Sequence, residues 1–251
     1  MIKVENIHKS FGFKRVLCGV NLEVYDSETL VIVGSSGMGK SVLLKTIVGL
    51  VKPDTGSVLI EDINITKCSS SDLHLARKRV GYVFQEAALF DSLSIFENVA
   101  FGLRTLTSLK EDEIKQRVRR CLEMVCLNNV ESLRPSELSG GMKKRVGIAR
   151  AIAYKPRYIL YDEPTAGLDP VMSDIINELI MYLKKHLKVT SIIVTHDMKS
   201  AYKIADRIMM LHEGKMIFDG RPEETRQTKN EYVRQFVEGS TRGPIVADKN
   251  F

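Results

Sequence analysis

The apolar positions in the first third of the chain fall into short runs broken by turns. IKVENIHKSF (residues 2–11) and VLCGVNLEVY (residues 16–25) alternate apolar and polar residues as half-buried strands do. ETLVIVG, ending at Gly34, is a continuous apolar run of strand length. A Gly-rich turn follows, and VLLKTIVGL (residues 42–50) then spaces its apolar residues as a helix. Strand, Gly loop and helix in that order predict the start of an α/β nucleotide-binding core.

From about residue 86 to residue 154 the period lengthens. EDEIKQRVRRCLEMVCL (residues 111–127) and GGMKKRVGIARAIAYK (residues 140–155) read as amphipathic helices with little strand pattern between them, so a helical insertion is expected here. Strands return in RYILYDEP (residues 157–164) and TSIIVTHD (residues 190–197), separated by the helix DIINELIMYLKKHL (residues 174–187). RIMMLHEGKMIFDG (residues 207–220) predicts a hairpin turning at Glu213 and Gly214. The tail from Ser240, broken by Gly243-Pro244, is polar and expected to be extended.

At 251 residues, with 44% hydrophobic and 27% charged positions, the chain has the length and content for a proper core. No stretch reaches the roughly 18 to 20 consecutive apolar residues of a membrane helix, and MIKVENIHKSFG lacks the apolar centre of a signal peptide, so a cytoplasmic chain is expected. A net charge of +6 is compatible with nucleic acid, an anionic membrane face or a phosphate ligand, and selects none of them. Cys18, Cys68, Cys121 and Cys126 form no CxxC pair and have no His at metal spacing, which predicts reduced thiols.

The strongest chemical signal is GSSGMGKS, Gly34-Ser35-Ser36-Gly37-Met38-Gly39-Lys40-Ser41, which fits the P-loop pattern G-x-x-x-x-G-K-[ST] with Val42 continuing into the helix. Glycines let the backbone curl its N–H groups toward phosphate oxygens, and the helix N-terminus adds partial positive charge. Lys40 is expected to reach the β- and γ-phosphates of ATP, and the Ser41 hydroxyl to ligate Mg²⁺. Such a site needs a further carboxylate for the metal and a group to orient water. YILYDE (residues 158–163) delivers Asp162 for the first and Glu163 for the second.

A second cradle follows from LSGGM (residues 138–142), where Ser139, Gly140 and Gly141 present a hydroxyl and backbone donors at a helix start. Here the chain resembles the ABC ATPases, whose signature reads LSGGQ; Met142 replaces the Gln. The resemblance implies that two copies pair head to tail, each signature closing on the ATP held by the other P-loop. It extends to Gln85 as the Q-loop residue at the metal, His196 as the switch histidine at the γ-phosphate, Asp169 in AGLD as the D-loop residue at the dimer interface, and Phe11 as the ring stacked on adenine. The implied catalytic residues are Lys40, Gln85, Glu163 and His196, and the implied metal ligands are Ser41, Gln85 and Asp162.

FQEAALFDSLSIFENVAFGLR (residues 84–104), DEPTAGLDPVMSDIINELI and the ending NEYVRQFVEGSTRGPI are similar to the Mla-type ATPases, which serve phospholipid transport with MCE-domain partners. The fold so implied is α/β, a P-loop NTPase nucleotide-binding domain with a RecA-like core, an antiparallel β subdomain and an inserted α-helical subdomain. Its expected extent is residues 1–240, with 1–85 and 155–240 as core and β subdomain, 86–154 as helical subdomain and 241–251 as a tail. Implied partners are a second ATPase copy, an integral membrane permease dimer, an MCE-domain substrate-binding protein and a small regulatory subunit, with no nucleic acid. The implied location is peripheral, on the cytoplasmic side of a bacterial inner membrane. An importer of a small polar solute shares every catalytic motif, and an ABC ATPase of translation or DNA repair is the third alternative.

Two readings stay open. Ala87, Ala88, Leu89, Phe90, Leu93, Ile95 and Phe96 either form a groove for a permease helix or fill the helical domain's own core. The tail from Thr241 either reaches across to a neighbouring copy or is a short disordered end.

Overall fold

The computed structural model describes residues 1–245. In chain order its elements are β1 (Ile2–Phe11), β2 (Lys14–Val24), β3 (Thr29–Val33), α1 (Lys40–Ile47), β4 (Thr55–Ile60), β5 (Ile63–Asn64), α2 (Ser70–Lys78), β6 (Val80–Val83), α3 (Ile95–Leu106) and α4 (Glu111–Met124). A 3₁₀ turn at Pro135–Glu137 leads to α5 (Gly140–Ile152), β7 (Tyr158–Asp162), α6 (Pro170–Leu187), β8 (Thr190–Thr195), α7 (Met198–Ile204), β9 (Arg207–His212), β10 (Lys215–Gly220), α8 (Pro222–Gln227) and α9 (Glu231–Glu238). The chain divides into two compact units, one of Met1–Ser69 with the chain from Ile192 onward, the other of Ser70–Ser191.

The first unit holds a four-stranded antiparallel sheet in the order β2-β1-β4-β5. Alternation along the strands puts Ile2, Val4, Val20, Leu22, Val24, Val58 and Ile60 inside. It also holds the strand order β10-β9-β3-β8, in which β3 runs parallel to β9 with Leu30 opposite Arg207, and β9 pairs antiparallel with β10 as the predicted hairpin. All five residues of β3 are buried, which explains its unbroken apolar pattern. Gln235 on α9 closes the described end: its amide donates to the Ser240 and Ile245 carbonyls at 3.2 and 2.9 Å, and its Oε1 accepts from Ile245 N at 2.6 Å. Residues 241–245 therefore bend back where an extended run is expected, and the rest of the tail lies outside the described residues.

Arg207 ties this unit together. Its Nε donates to Glu28 at 2.6 Å, its Nη1 to Asp219 at 2.9 Å and its Nη2 to the Glu23 carbonyl, while the guanidinium lies 5.6 Å from the Tyr25 ring centre. The Arg207 and Glu28 side chains are only 20% and 11% exposed, so this is no solvent-screened surface bridge. Arg207→Met is expected to cost about 3 kcal/mol of stability, because it strands partly buried acceptors. A urea midpoint equal to wild type would show that the cluster contributes nothing.

The second unit pairs β6 parallel to β7, with Val80 opposite Tyr158 and Val83 opposite Tyr161. The segment expected to be helical contributes α3, α4 and α5, which pack together over Ile95, Val99, Leu103, Ile114, Val118, Leu122 and Val146. Ser94 caps α3, accepting from Glu97 N at 3.2 Å. Arg104 bridges Glu97 and Glu111, joining α3 to the start of α4. Helix α5 is more than amphipathic: eight of its residues are buried, including Lys144, Gly147 and Ala149. Among the described residues no helix is long and apolar enough to cross a membrane, and all four cysteines are free.

Candidate functional site

The predicted phosphate loop lies in the first unit, between β3 and α1. Gly37 and Gly39 have φ of 79° and 96°, conformations that side-chain-bearing residues resist, and these turn the loop over on itself. A Cβ on Gly39 would stand 2.9 Å from both Cγ1 and the carbonyl oxygen of Val16, and one on Gly34 2.3 Å from the Leu211 carbonyl oxygen. The crest, Ser36 and Gly37, is exposed, with Ser35 and Met38 half-buried beside it. Lys40 is only 5% exposed, and its Nζ donates to the carbonyls of Gly34 at 2.7 Å and Ser35 at 3.1 Å. The ammonium therefore sits within the turn of its own loop. Ser41 and Val42 open the helix, both half-buried.

Two further predicted residues belong to this unit. Phe11 ends β1 with its ring 51% exposed and the Lys9 ammonium 5.2 Å from the ring centre. A half-exposed, cation-flanked ring presents a face suited to stacking. His196 stands exposed at the turn from β8 to α7. That turn is stiff: Thr195 Oγ1 accepts from Asp197 N at 3.0 Å, and Asp197 caps α7 through Lys199 N and Ser200 N at 2.9 and 3.3 Å.

The second unit carries the predicted acids, sensor and signature. Every residue of β7 is buried, so the strand presents Asp162 and Glu163, 3% and 7% exposed, at its C-terminal end. Tyr82 on β6 donates its hydroxyl to Asp162 Oδ2 at 3.1 Å; burial, with Asp162 beside it, holds the phenol far above its ordinary pKa, so it stays a donor. Glu163 adopts φ of 47°, a left-handed backbone that a glutamate takes only at a cost. Gln85 follows β6 with its side chain exposed.

Ser139 is the N-cap of α5, its Oγ accepting from Met142 N at 3.3 Å. Gly140 is exposed and Gly141 buried, where a Cβ would meet Met172 Cε at 2.4 Å. The first turn of α5 contains no acid to oppose an anion. Asp169 caps α6, accepting from Val171 N and Met172 N at 2.9 Å each. The apolar string after Gln85 divides. Ala87 and Ile95 are buried, Leu89, Leu93 and Phe96 are half-buried, and Ala88 and Phe90 are exposed, Phe90 stacking at 5.1 Å on the exposed ring of Phe101.

One residue at this site has no precedent in the motifs. Lys144 on α5 donates to the Gln85 carbonyl oxygen and stands 3.5 Å from that of Glu163. Burial lowers its pKa, opposed by the carboxylates of Glu86, Glu163 and Asp162. In the sequence it hides in a Lys-Lys-Arg run that reads as a solvent face, with nothing in its spacing to single it out.

Comparison with known proteins bears on the whole chain. Residues 17–166 match the family model described as ABC transporter. A probable ribonucleotide transport ATP-binding protein, mkl, of Mycobacterium leprae is 42% identical over 97% of this chain and 70% of its own length. The intermembrane phospholipid transport system ATP-binding protein MlaF of Haemophilus influenzae is 40% identical over 98% of this chain and 93% of its own. The dimeric post-hydrolysis structure of the ATP-binding cassette MJ0796 with ADP and Pi superposes with a TM-score of 0.81 at 33% identity, covering 88% of this chain and 99% of that one. The α/β fold with an antiparallel sheet and a helical insertion is thus that of ABC cassettes. The chain belongs to the ABC transporter family as one of its ATP-hydrolysing, ATP-binding domains.

Proposed function

We propose that this chain powers phospholipid transport between the inner and outer membranes of a double-membrane bacterium, as the ATPase subunit of an Mla-type transporter. The observation that carries this reading is the match to MlaF, which runs nearly end to end in both proteins, 98% of one and 93% of the other. The mkl match, at slightly higher identity, spans 70% of that protein, and its name favours a second reading, a transporter of small polar solutes. In either case two copies work with a permease dimer, peripherally on the cytoplasmic face of the inner membrane. An MCE-domain protein and a small regulatory subunit complete the lipid-transport assembly. The exposed pair Phe90 and Phe101 supports a docking surface for the permease in the segment after Gln85.

In the proposed cycle the P-loop amides, Lys40 and Ser41 hold the phosphates of ATP, and Phe11 stacks on the base. Ser41, Gln85 and Asp162 would hold Mg²⁺. One carboxylate with a hydroxyl and an amide suits an ion whose other ligands are phosphate oxygens and water, and Tyr82 orients that carboxylate. Bound there, Mg²⁺ neutralises phosphate charge. Glu163 accepts a proton from the attacking water, and His196 steadies the γ-phosphate. Ser139, Gly140, Gly141 and Asp169 act on the nucleotide of the partner copy. Because ATP then bridges two copies, it binds the closed pair preferentially, and that difference in affinity drives the permease.

Purification from detergent-solubilised membranes tests the cargo. A polytopic permease recovered with an MCE protein and phospholipid is the expected result. A solute-binding protein in their place would support the second reading, and recovery with ribosomes or DNA would sink both.

A further inference from the structure

Helix α5 makes a set of contacts that phosphate binding does not use. Lys144, Gly147 and Arg150 recur at three-residue intervals, and all three meet the loop from Gln85 to Ala88. Arg150 donates from Nη1 to the Ala88 carbonyl at 2.7 Å and from Nη2 to the Ala87 carbonyl at 2.6 Å. A Cβ on Gly147 would stand 3.3 Å from that of Ala87, so glycine lets the loop lie against the helix. Ala87 and Ala88 have φ of 58° and 46°. That backbone costs on the order of 1–2 kcal/mol per residue and persists only where its surroundings hold it.

Lys144 extends this attachment to a second loop. The side chain is 7% exposed, and an ammonium in that position is costly unless it is hydrogen-bonded and has negative charge nearby, here from Glu86, Glu163 and Asp162. Its two carbonyl contacts belong to separate loops, one following β6 and the other following β7. The ammonium therefore links both loops by hydrogen bonds to the helix that begins at Gly140.

We propose that Lys144 is a positioning residue for ATP hydrolysis, tying the Gln85 and Glu163 backbones to helix α5 and so setting where the Glu163 carboxylate stands. The proposal rests on the roles given above to Gln85 and Glu163. Lys144 thereby joins residues 85–88 to the Glu163 backbone by a route that does not pass through the nucleotide. Small displacements matter at such a site, since a misplacement of about 1 Å can cost on the order of 10²-fold in rate.

The test is steady-state ATP hydrolysis by purified Lys144→Met and Lys144→Arg, with thermal midpoints, beside Glu163→Gln. Lys144→Met is expected to lower kcat by about 10- to 100-fold while KM for ATP stays within about twofold, and Lys144→Arg to recover most of the loss. Wild-type kcat in Lys144→Met beside an inactive Glu163→Gln would overturn the proposal. So would equal losses of kcat and thermal midpoint in both lysine variants, since a packing role predicts that. Full turnover by Glu163→Gln would overturn the underlying role of Glu163, and with it the one given to Lys144.

Discussion

Glu163→Gln is expected to bind ATP as tightly as the parent and to hydrolyse it about 10² to 10⁴ times more slowly. The substitution keeps the size and shape of the side chain and removes its charge and its ability to accept a proton, an amide NH₂ donor standing in place of one carboxylate oxygen. The backbone should not move: the Glu163 carbonyl accepts from Ala166 N at 3.1 Å and lies beside the Lys144 ammonium, and neither contact involves the carboxylate. The residue is 7% exposed, so bulk solvent is a poor substitute base. Phosphate release measured at saturating ATP, beside equilibrium nucleotide binding, separates the two effects. Turnover within about threefold of the parent would remove Glu163 from the role of general base.

Lys40→Ala is expected to act one step earlier, on binding itself. The ammonium is the one side-chain cation of the P-loop sequence, and charge-assisted hydrogen bonds to phosphate are each worth about 1.5–3 kcal/mol. Removing two such hydrogen bonds weakens the affinity for ATP by on the order of 10²-fold or more. The variant also frees the Gly34 and Ser35 carbonyls that Lys40 now ties at 2.7 and 3.1 Å, so the loop should loosen. Calorimetric titration, with a thermal midpoint to confirm folding, decides the matter. An unchanged affinity would contradict the assignment of residues 34–41 as the phosphate cradle.

What was legible in the chain before folding was chiefly the pattern of its two glycine-bearing loops. Glycine at fixed offsets from Lys40 and Ser139 is legible because a backbone that must approach phosphate tolerates few other residues. Strands β3, β7 and β8 were equally plain, since strands buried on both faces leave unbroken apolar runs. Helix α2 was not legible: SSDLHLARK buries only Ala76, so no apolar period marks it. The apolar string after Gln85 left two readings open for a different reason, because composition cannot say that Ala87 turns inward while Ala88, its neighbour, faces out. Lys144 escaped because a lysine reads as solvated wherever it stands, and only the fold shows that two backbone carbonyls draw it inside.

At the heart of the proposed mechanism is an ATPase that acts as a pair, each copy closing its signature on the other's nucleotide. The mass of Glu163→Gln in solution, by sedimentation or light scattering, probes this pairing without relying on turnover. Without nucleotide the mass should be that of one chain, 28.3 kDa, and with Mg²⁺ and ATP it should double. A variant that binds ATP fully and stays at the mass of a single chain at every protein concentration tried would rule the paired mechanism out.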